Sequence, residues 1–516
     1  MLTPTELYQS LRRRLKPQWL LAFCSTLVCG LLVHMPVMLS DIPNHDGLAS
    51  MYFDQNMITS GRWFLTVACG FSSYYTLPWL IGLLGLLYLG LASAALTEIL
   101  EVDKGWAVVL NSGLLAVFPA LASTFAYVFT LDGYMLAVLL AVLAVLLTKK
   151  YRRGFLPGAV CLALSLGIYQ AYLAFAMILS LFAVLMLFAG ESQMSEKVKG
   201  TFRYLGMGVL GSALYYIMLR LLLLIQGKEL AAYQGINEMT SGAAGRGLWE
   251  VIRELYGDFV AFTLKGNVLY QNWLSFVALC LLLFVSAILA LALVYCRKWW
   301  KNPLFFAIMV VTAMLMPVVT NVILLVSPGV TYHLLMRYQW VLYLIGLTAF
   351  ASRQASGVKK GAVLEWIVTV AVFVLVFFYG VADNIGYTNL QRRYEKTFAY
   401  CVRLLDRIEQ TEGYYQGIPI AMVGVVGDEQ FPATDVTLSA TSGMTGLNGD
   451  FLLYTGENYR AFMEHYLGAT LNILPPEAMS EMYYSEEYMK MDSFPGEDSI
   501  RIIDGIMYIK TENVGR

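Results

Sequence analysis

Charge is what this chain has least of: Asp, Glu, Lys and Arg make up 14% of its 516 residues, and the formal net charge is −1. Nucleic acid is excluded as a partner on that ground, because tracking a phosphate backbone takes clustered exposed Lys and Arg well beyond what is present. Paired cysteines are also missing. The seven, at 24, 29, 69, 161, 280, 296 and 401, are scattered mostly inside apolar runs. Neither a CxxC metal pair nor a disulfide framework emerges, and they read as small buried apolar residues. No glycine fingerprint of the kind that grips nucleotide phosphates between a strand and a helix is visible. No small-residue cleavage site follows the basic N-terminal segment (Arg12, Arg13, Arg14, Lys16), so the first apolar run reads as a retained span.

What the chain has in abundance is apolar length. Hydrophobic residues make up 58% and aromatics 14%, the composition of a polytopic membrane protein. A helix crosses the hydrocarbon core with about 20 apolar residues. Eleven such runs are predicted, near 19–38, 76–99, 106–122, 131–148, 155–169, 170–190, 203–225, 272–295, 303–326, 336–351 and 362–382. Between the fifth and sixth, Tyr169-Gln170 is the only polar break. Alternate loops differ sharply in Lys and Arg. One set holds 18, and the other holds only Arg62, Lys228, Arg246, Arg253 and Lys265. Because cytoplasmic loops are enriched in these residues, the N-terminus is expected inside and the first loop outside the cytoplasmic membrane.

Eleven crossings then put everything after Ala382 outside. Residues 1–387 are expected to form the membrane domain and 388–516 a small extracytoplasmic α/β domain. In the latter, 389–411 show helical periodicity, 418–427 read as a buried strand, Asn458 to Leu467 as a helix, and 499–511 as two short strands around Asp504-Gly505.

Two outer loops, 39–75 and 226–271, are longer than a connection needs, and long ordered loops are usually functional. The first carries Asp41, His45, Asp46 and Arg62 beside the membrane face. Within it, Trp63 to Phe71 and Tyr74 to Pro78 look like an interfacial amphipathic segment, and LWEVIRELYGDFVAFTL in the second loop looks like another. A transfer reaction framed by these loops needs a base to deprotonate an acceptor hydroxyl and a cation to hold a leaving phosphate. Asp46 and Asp41 can supply the first. Arg62, His45, His333 and Arg337 can supply the second, arginine with a fork that binds two oxygens at once.

Each candidate also has a plainer reading. Asp41, near Pro43 and Asn44, can be a cap or turn acid, and Asp46 in His-Asp-Gly a turn residue. Asp132 can be a helix N-cap at the start of the fourth span, or a second acid facing the cavity. Arg337, at the start of the tenth span, can snorkel, or can be partnered or functional. Tyr169, Gln170 and Tyr172 can put polar groups into the cavity, or belong to an interfacial aromatic belt.

SDIPNHDG followed by SGRWF, then FPALASTFAYVFTLDGYMLA and LGIYQAYLAF in that order, resembles the bacterial polytopic glucosyltransferases of the O-antigen-modifying Gtr type II family. GEDSIRIIDGIMYIK looks like the end of the same family. The resemblance implies a GT-C type fold, in which a many-helix bundle moves a sugar, glucose by family precedent, from a polyprenyl-phosphate carrier to a cell-surface glycan acceptor on the outer face. A separate donor synthase and a flippase would supply that carrier. It also implies that Asp46 matches the first-loop acid, with Asp41 as the alternative, that Arg62 matches the arginine of a Gly-Arg-Trp segment, and that Tyr169 and Gln170 match a Tyr-Gln pair. A lipid-phosphate leaving group needs no nucleotide site. A divalent cation, Mg or Mn, could assist through the carboxylates, and the sequence requires none.

The rival readings are a transporter or flippase of lipid-linked sugars and a non-catalytic cell-envelope assembly protein. Transporters typically show repeats, broken helices and mid-membrane ionisable groups. Charges clustered in the outer loops, spans without a clear repeat and an extra folded domain favour an enzyme.

Overall fold

A computed structural model describes residues 3–49, 51, 54–70, 77–232, 247–299, 303–327, 330–358, 360–423, 440–441, 443–447, 452–453, 456–482 and 485–511. Helices α1 (Pro4–Arg14) and α2 (Pro17–Met38) lead into the first loop, which folds as α3 (His45–Ala49) and α4 (Leu65–Ala68). There follow α5 (Pro78–Ile99), α6 (Gly105–Val117), α7 (Pro119–Phe125), α8 (Val128–Lys150), α9 (Phe155–Ile168), α10 (Leu173–Ala189), α11 (Met194–Gln226), α12 (Leu248–Val260), α13 (Trp273–Cys296), α14 (Pro303–Thr320), α15 (Ile323–Val326), α16 (Val341–Gln354) and α17 (Gly361–Gln410).

Among the described residues nine helical segments are long and apolar enough to cross a membrane, or ten if the bent pair α6–α7 counts as one. All eleven predicted runs fall on helix. The run 106–122 falls on α6–α7, which bends by 45°, and 155–169 on α9, whose 14 residues are fewer than the roughly 20 that span a hydrocarbon core. Proline opens several of these helices, at Pro17, Pro78 and Pro119, where its missing N–H removes no intrahelical bond.

The bend between α6 and α7 has a local cause. Phe118 precedes Pro119, and its backbone is extended (φ −66°, ψ 132°), as the residue before a proline prefers. The carbonyls freed there find other donors. The Tyr338 hydroxyl donates to Leu115 O at 2.5 Å and His34 Nε2 lies 2.7 Å from Ala116 O. Irregular backbone at membrane depth is tolerated when protein groups satisfy it in this way.

Helix α2 packs on α5 and α6, α5 on α8, α8 on α9 and α9 on α11, while α17 closes against α2, α6 and α13. At the end of the bundle away from the first loop, the basic residues are paired. Lys16 and Lys150 reach Glu98, Lys149 and Arg353 reach Glu101, and Lys104 reaches Glu365. Those contacts tie α2, α5, α8, α16 and α17 together.

Helix α17 is 50 residues long and continuous, so it runs straight through residues 387 and 388, where the two domains were expected to meet. Its last turns (Tyr400, Cys401, Leu404, Ile408) form a second core with strand β1 (Ile420–Val423), helix α18 (Gly456–Leu467), strand β2 (Ile500–Ile503) and strand β3 (Ile506–Lys510). Strand order is β1-β3-β2. Strands β1 and β3 are parallel, with Ile420 opposite Met507, and β2 is antiparallel to β3, with Ile500 opposite Ile509. The expected helix 458–467 and the hairpin at Asp504-Gly505 are both present. The turn residues have φ of 50° and 80°, as a two-residue hairpin turn requires. Of the strand expected at 418–427, the part after Val423 lies outside the described residues.

Candidate active site

The first loop is fastened to the bundle at both ends of its polar stretch. Asn44 caps α3: its Oδ1 accepts from Gly47 N and its Nδ2 donates to Ala126 O, both at 2.7 Å. Asp46 therefore sits in the first helical turn of α3 with its side chain exposed, not in a bare turn. Leu48, two residues on, is buried in the core of the C-terminal α/β unit. The same short helix thus carries an acid toward the bundle mouth and an anchor toward α18.

Further along, a tight turn over Ile58–Ser60 ends at Gly61 with φ 78°. Positive φ is easy for glycine and strained for other residues. The chain then reverses so that Phe64 N donates to Gly167 O at 2.7 Å. Trp63 lies flat against Gly167, where a Cβ would come within 2.7 Å of the indole. These contacts place Arg62 over the C-terminal end of α9.

The guanidinium of Arg62 stacks on the Tyr169 ring (4.6 Å to the centroid) and its Nη1 lies 3.3 Å from the Tyr134 hydroxyl. Tyr134 and Tyr169 are themselves parallel, with centroids 4.7 Å apart, and Tyr172 packs edge-on against both. Gln170 Nε2 donates to Ser60 O and to the Tyr215 hydroxyl, each at 3.0 Å, and Tyr215 in turn donates to Gly61 O at 3.1 Å. Asp46 and Arg62 both lie within electrostatic reach of the Tyr134 hydroxyl. The structure thus gathers Asp46, Arg62, Tyr169 and Gln170, read from separate segments of the sequence, around one corner of the bundle. Sequence reading missed Tyr134 and Tyr215. The signal for Tyr134 was its place two residues after Asp132, and helical geometry alone could not have said that it points at Arg62.

The other candidates have different neighbours. Asp41 is exposed and faces Tyr394 on α17. Asp132 is not an N-cap: α8 begins at Val128, and Asp132 is 1% exposed, inside the helix and within reach of Tyr88 on α5. The side chain of His45 lies outside the described residues. His333 is half-buried and precedes the short helical stretch Leu334–Trp340.

Arg337 was read as a phosphate ligand, yet both Nη atoms are engaged. They bond the two oxygens of Asp258 on α12, each at 2.7 Å, and Nε donates to Tyr332 O at 3.1 Å. Tyr332 stacks on the guanidinium at 3.7 Å, with Phe262 on another side at 4.8 Å. Burial pushes the Tyr332 hydroxyl well above its ordinary range although Arg337 pulls the other way. It stays protonated, donates to Thr320 O at 3.2 Å and accepts from Gln339 Nε2 at 2.7 Å. This is a clasp joining helix α12 to the bundle. Among the described residues no three or more His, Cys, Asp or Glu side chains converge as a metal site would need.

Arg62, read from the sequence as a phosphate ligand, is held by stacking on Tyr169 and by the Tyr134 hydroxyl. Arg62→Ala is expected to lower turnover by about 100-fold, the usual cost of removing one preorganised donor to developing charge. Arg62→Lys is expected to recover little of it, since a lysine offers neither the fork nor the flat stacking face. Steady-state rates of both variants, set beside their thermal midpoints, check this.

No curated protein and no solved structure matches the chain. A family model described as Glucosyl transferase GtrII matches residues 35–352, which run from the end of α2 through the first loop, Arg62, the Tyr-Gln pair and the Arg337 clasp to the end of α16. With more than half of its length matched, including the corner described above, the chain belongs to the GtrII glucosyltransferase family.

Proposed function

We propose that the chain transfers a hexose, glucose by family, from a polyprenyl-phosphate carrier to a cell-surface glycan acceptor on the outer face of a bacterial cytoplasmic membrane. In this reading the first-loop end of the bundle faces outward, in keeping with the skewed Lys and Arg count, and the C-terminal α/β unit lies outside with it. Asp46 is the general base. It takes the proton of the acceptor hydroxyl as that oxygen attacks the anomeric carbon. The bond from the anomeric carbon to the phosphate oxygen breaks, and the lipid phosphate departs as an anion that Arg62 meets. One base suffices, and the anomeric configuration inverts.

The observation that carries the reading is the Arg62–Tyr134–Tyr169 cluster with Asp46 in reach. It puts a cation fixed by stacking and an exposed carboxylate at one corner of a bundle that lipid can approach. The Arg337–Asp258 clasp argues against Arg337 in this role, because an arginine already bidentate to a carboxylate would have to give up that pair to bind phosphate.

The experiment is a donor exchange with the full chain in proteoliposomes. Transfer to glycan is expected from a short-chain polyprenyl phosphoglucose and not from a nucleoside-diphosphate glucose. Transfer from the nucleotide sugar alone would overturn the proposal, and movement of the intact lipid-linked sugar across the bilayer without transfer would favour the flippase.

A further inference from the structure

Asp383 on α17 is completely buried, and among the described residues neither of its carboxyl oxygens meets a hydrogen-bond donor. The phenols one helical turn to either side of it cannot help. His34 Nε2 lies 2.7 Å from Ala116 O, and a carbonyl only accepts, so in the neutral imidazole that nitrogen carries the hydrogen and Nδ1 is the acceptor. The Tyr387 hydroxyl, 2.6 Å from Nδ1, must then donate to His34. In the other direction, the Tyr379 hydroxyl donates to Leu269 O at 2.9 Å. Both phenols that share a face with Asp383 therefore have their protons committed elsewhere.

A buried carboxylate without donors is among the costliest arrangements a protein interior can hold, and inside a membrane bundle such groups mark functional sites. Its depth is informative. Asp383 stands 22 residues along α17 from Gly361, about 33 Å at 1.5 Å per residue, against a hydrocarbon core of about 30 Å. That is the plane, at the first-loop end, where the sugar of a lipid-borne donor would sit.

What closes the place is a segment from the C-terminal part of the chain. Met444 and Leu447 are buried in the core of the helical bundle, and Leu447 rests on Gly386, where a Cβ would meet it at 3.0 Å. Gly386 is three residues on from Asp383, on the same helical face. Leu334 N donates to Thr445 Oγ1 at 3.1 Å, and Gly443 and Gly446 take φ of 84° and 79°.

We propose that Asp383 accepts hydrogen bonds from hydroxyl groups of the sugar being transferred, in a subsite that Leu447 covers. A hexose brings the donors that the carboxylate lacks, and several at once. The inference rests on the lipid-phosphate donor reading above.

The test compares wild type, Asp383→Asn and Asp383→Leu in lipid nanodiscs, titrated with a short-chain polyprenyl phosphoglucose and with the same lipid phosphate lacking glucose. Asp383→Asn is expected to weaken binding of the glucosylated lipid by about tenfold, as loss of a buried hydrogen bond does, with binding of the bare lipid phosphate unchanged. Asp383→Leu is expected to do the same with a thermal midpoint no lower than wild type, since it removes a buried polar group that lacks hydrogen-bond partners. Equal binding of the glucosylated lipid by Asp383→Asn, equal loss of both lipids, or failure of both variants to fold would overturn the subsite. If wild type does not bind the glucosylated lipid, the donor reading falls and the subsite with it. If wild type binds and Asp383→Asn binds equally, only the subsite falls.

Discussion

Asparagine at position 46 is expected to lower glucosyl transfer by about 10³-fold while leaving the thermal midpoint where it is. Removing a positioned general base costs about 10²- to 10⁴-fold, and asparagine keeps the shape while losing the basic oxygen. Stability is expected to hold because Asp46 does not bear the fold: its side chain is exposed, the cap of α3 is Asn44, and the buried anchor is Leu48. Asp41→Asn is the matched control. Asp41 faces Tyr394 on α17, away from the Arg62 corner, so its variant is expected to keep most activity. A reversed outcome, with Asp41→Asn inactive and Asp46→Asn active, would move the base to Asp41.

The largest expected effect on stability belongs to the clasp. Arg337→Ala is expected to cost about 3–5 kcal/mol, read as an earlier loss of tertiary signal on heating or in denaturant. The figure follows from the geometry. The Arg337 side chain is 10% and Asp258 25% exposed, and removing one partner of such a pair strands the other charge away from water. Asp258→Ala is expected to behave alike. The double variant Arg337→Met with Asp258→Leu is expected to recover most of the loss, because two apolar groups leave no charge stranded. Helix α12 is also tied by Asn321 Nδ2 to Leu255 O at 2.8 Å, by the Tyr256 hydroxyl to Met314 O at 2.5 Å and by Phe259 against Trp340 and Tyr343, so the single variants are expected to loosen α12 locally and leave the rest of the bundle in place. Single variants that melt with wild type would mean that the pair is exchanging with water and Arg337 is available to ligands.

Much of the bundle was readable from the chain itself. Span length and apolarity are local properties, so the eleven runs could be placed on helix without any knowledge of neighbours. The hairpin at Asp504-Gly505 was equally local, a turn dictated by backbone preferences of two residues. Span ends were less legible. The sequence shows where apolarity stops near Ala382, but α17 continues to Gln410, because a helix ends where its backbone bonding ends and not where lipid does.

The candidate site divides in the same way. Asp46, Arg62, Tyr169 and Gln170 could be picked out by residue type, loop position and resemblance. Their meeting could not, because it depends on bonds such as Gln170 to Ser60 O, spanning 110 positions. Arg337 shows the converse. A charge at the start of a span is a sound signal that something holds it, yet the sequence offered phosphate and partner as equal answers, and the fold supplied Asp258. His34, Tyr387 and Asp383 escaped notice because each is a single polar residue within or at the edge of an apolar run, and only packing brought His34 onto the Tyr387 hydroxyl, one turn from Asp383.

The sequence by itself determined that the chain is apolar enough to thread a membrane many times, that it carries one polar loop rich in acids with a single arginine, and that it ends in an α/β unit. Each of these follows from composition or short-range periodicity. Tertiary structure alone decided which acid faces which cation, which arginine is already paired, and which carboxylate is buried without a donor. Those are properties of side chains that meet across helices far apart in sequence, and hydrogen-bond geometry over about 3 Å is fixed only when the helices have packed.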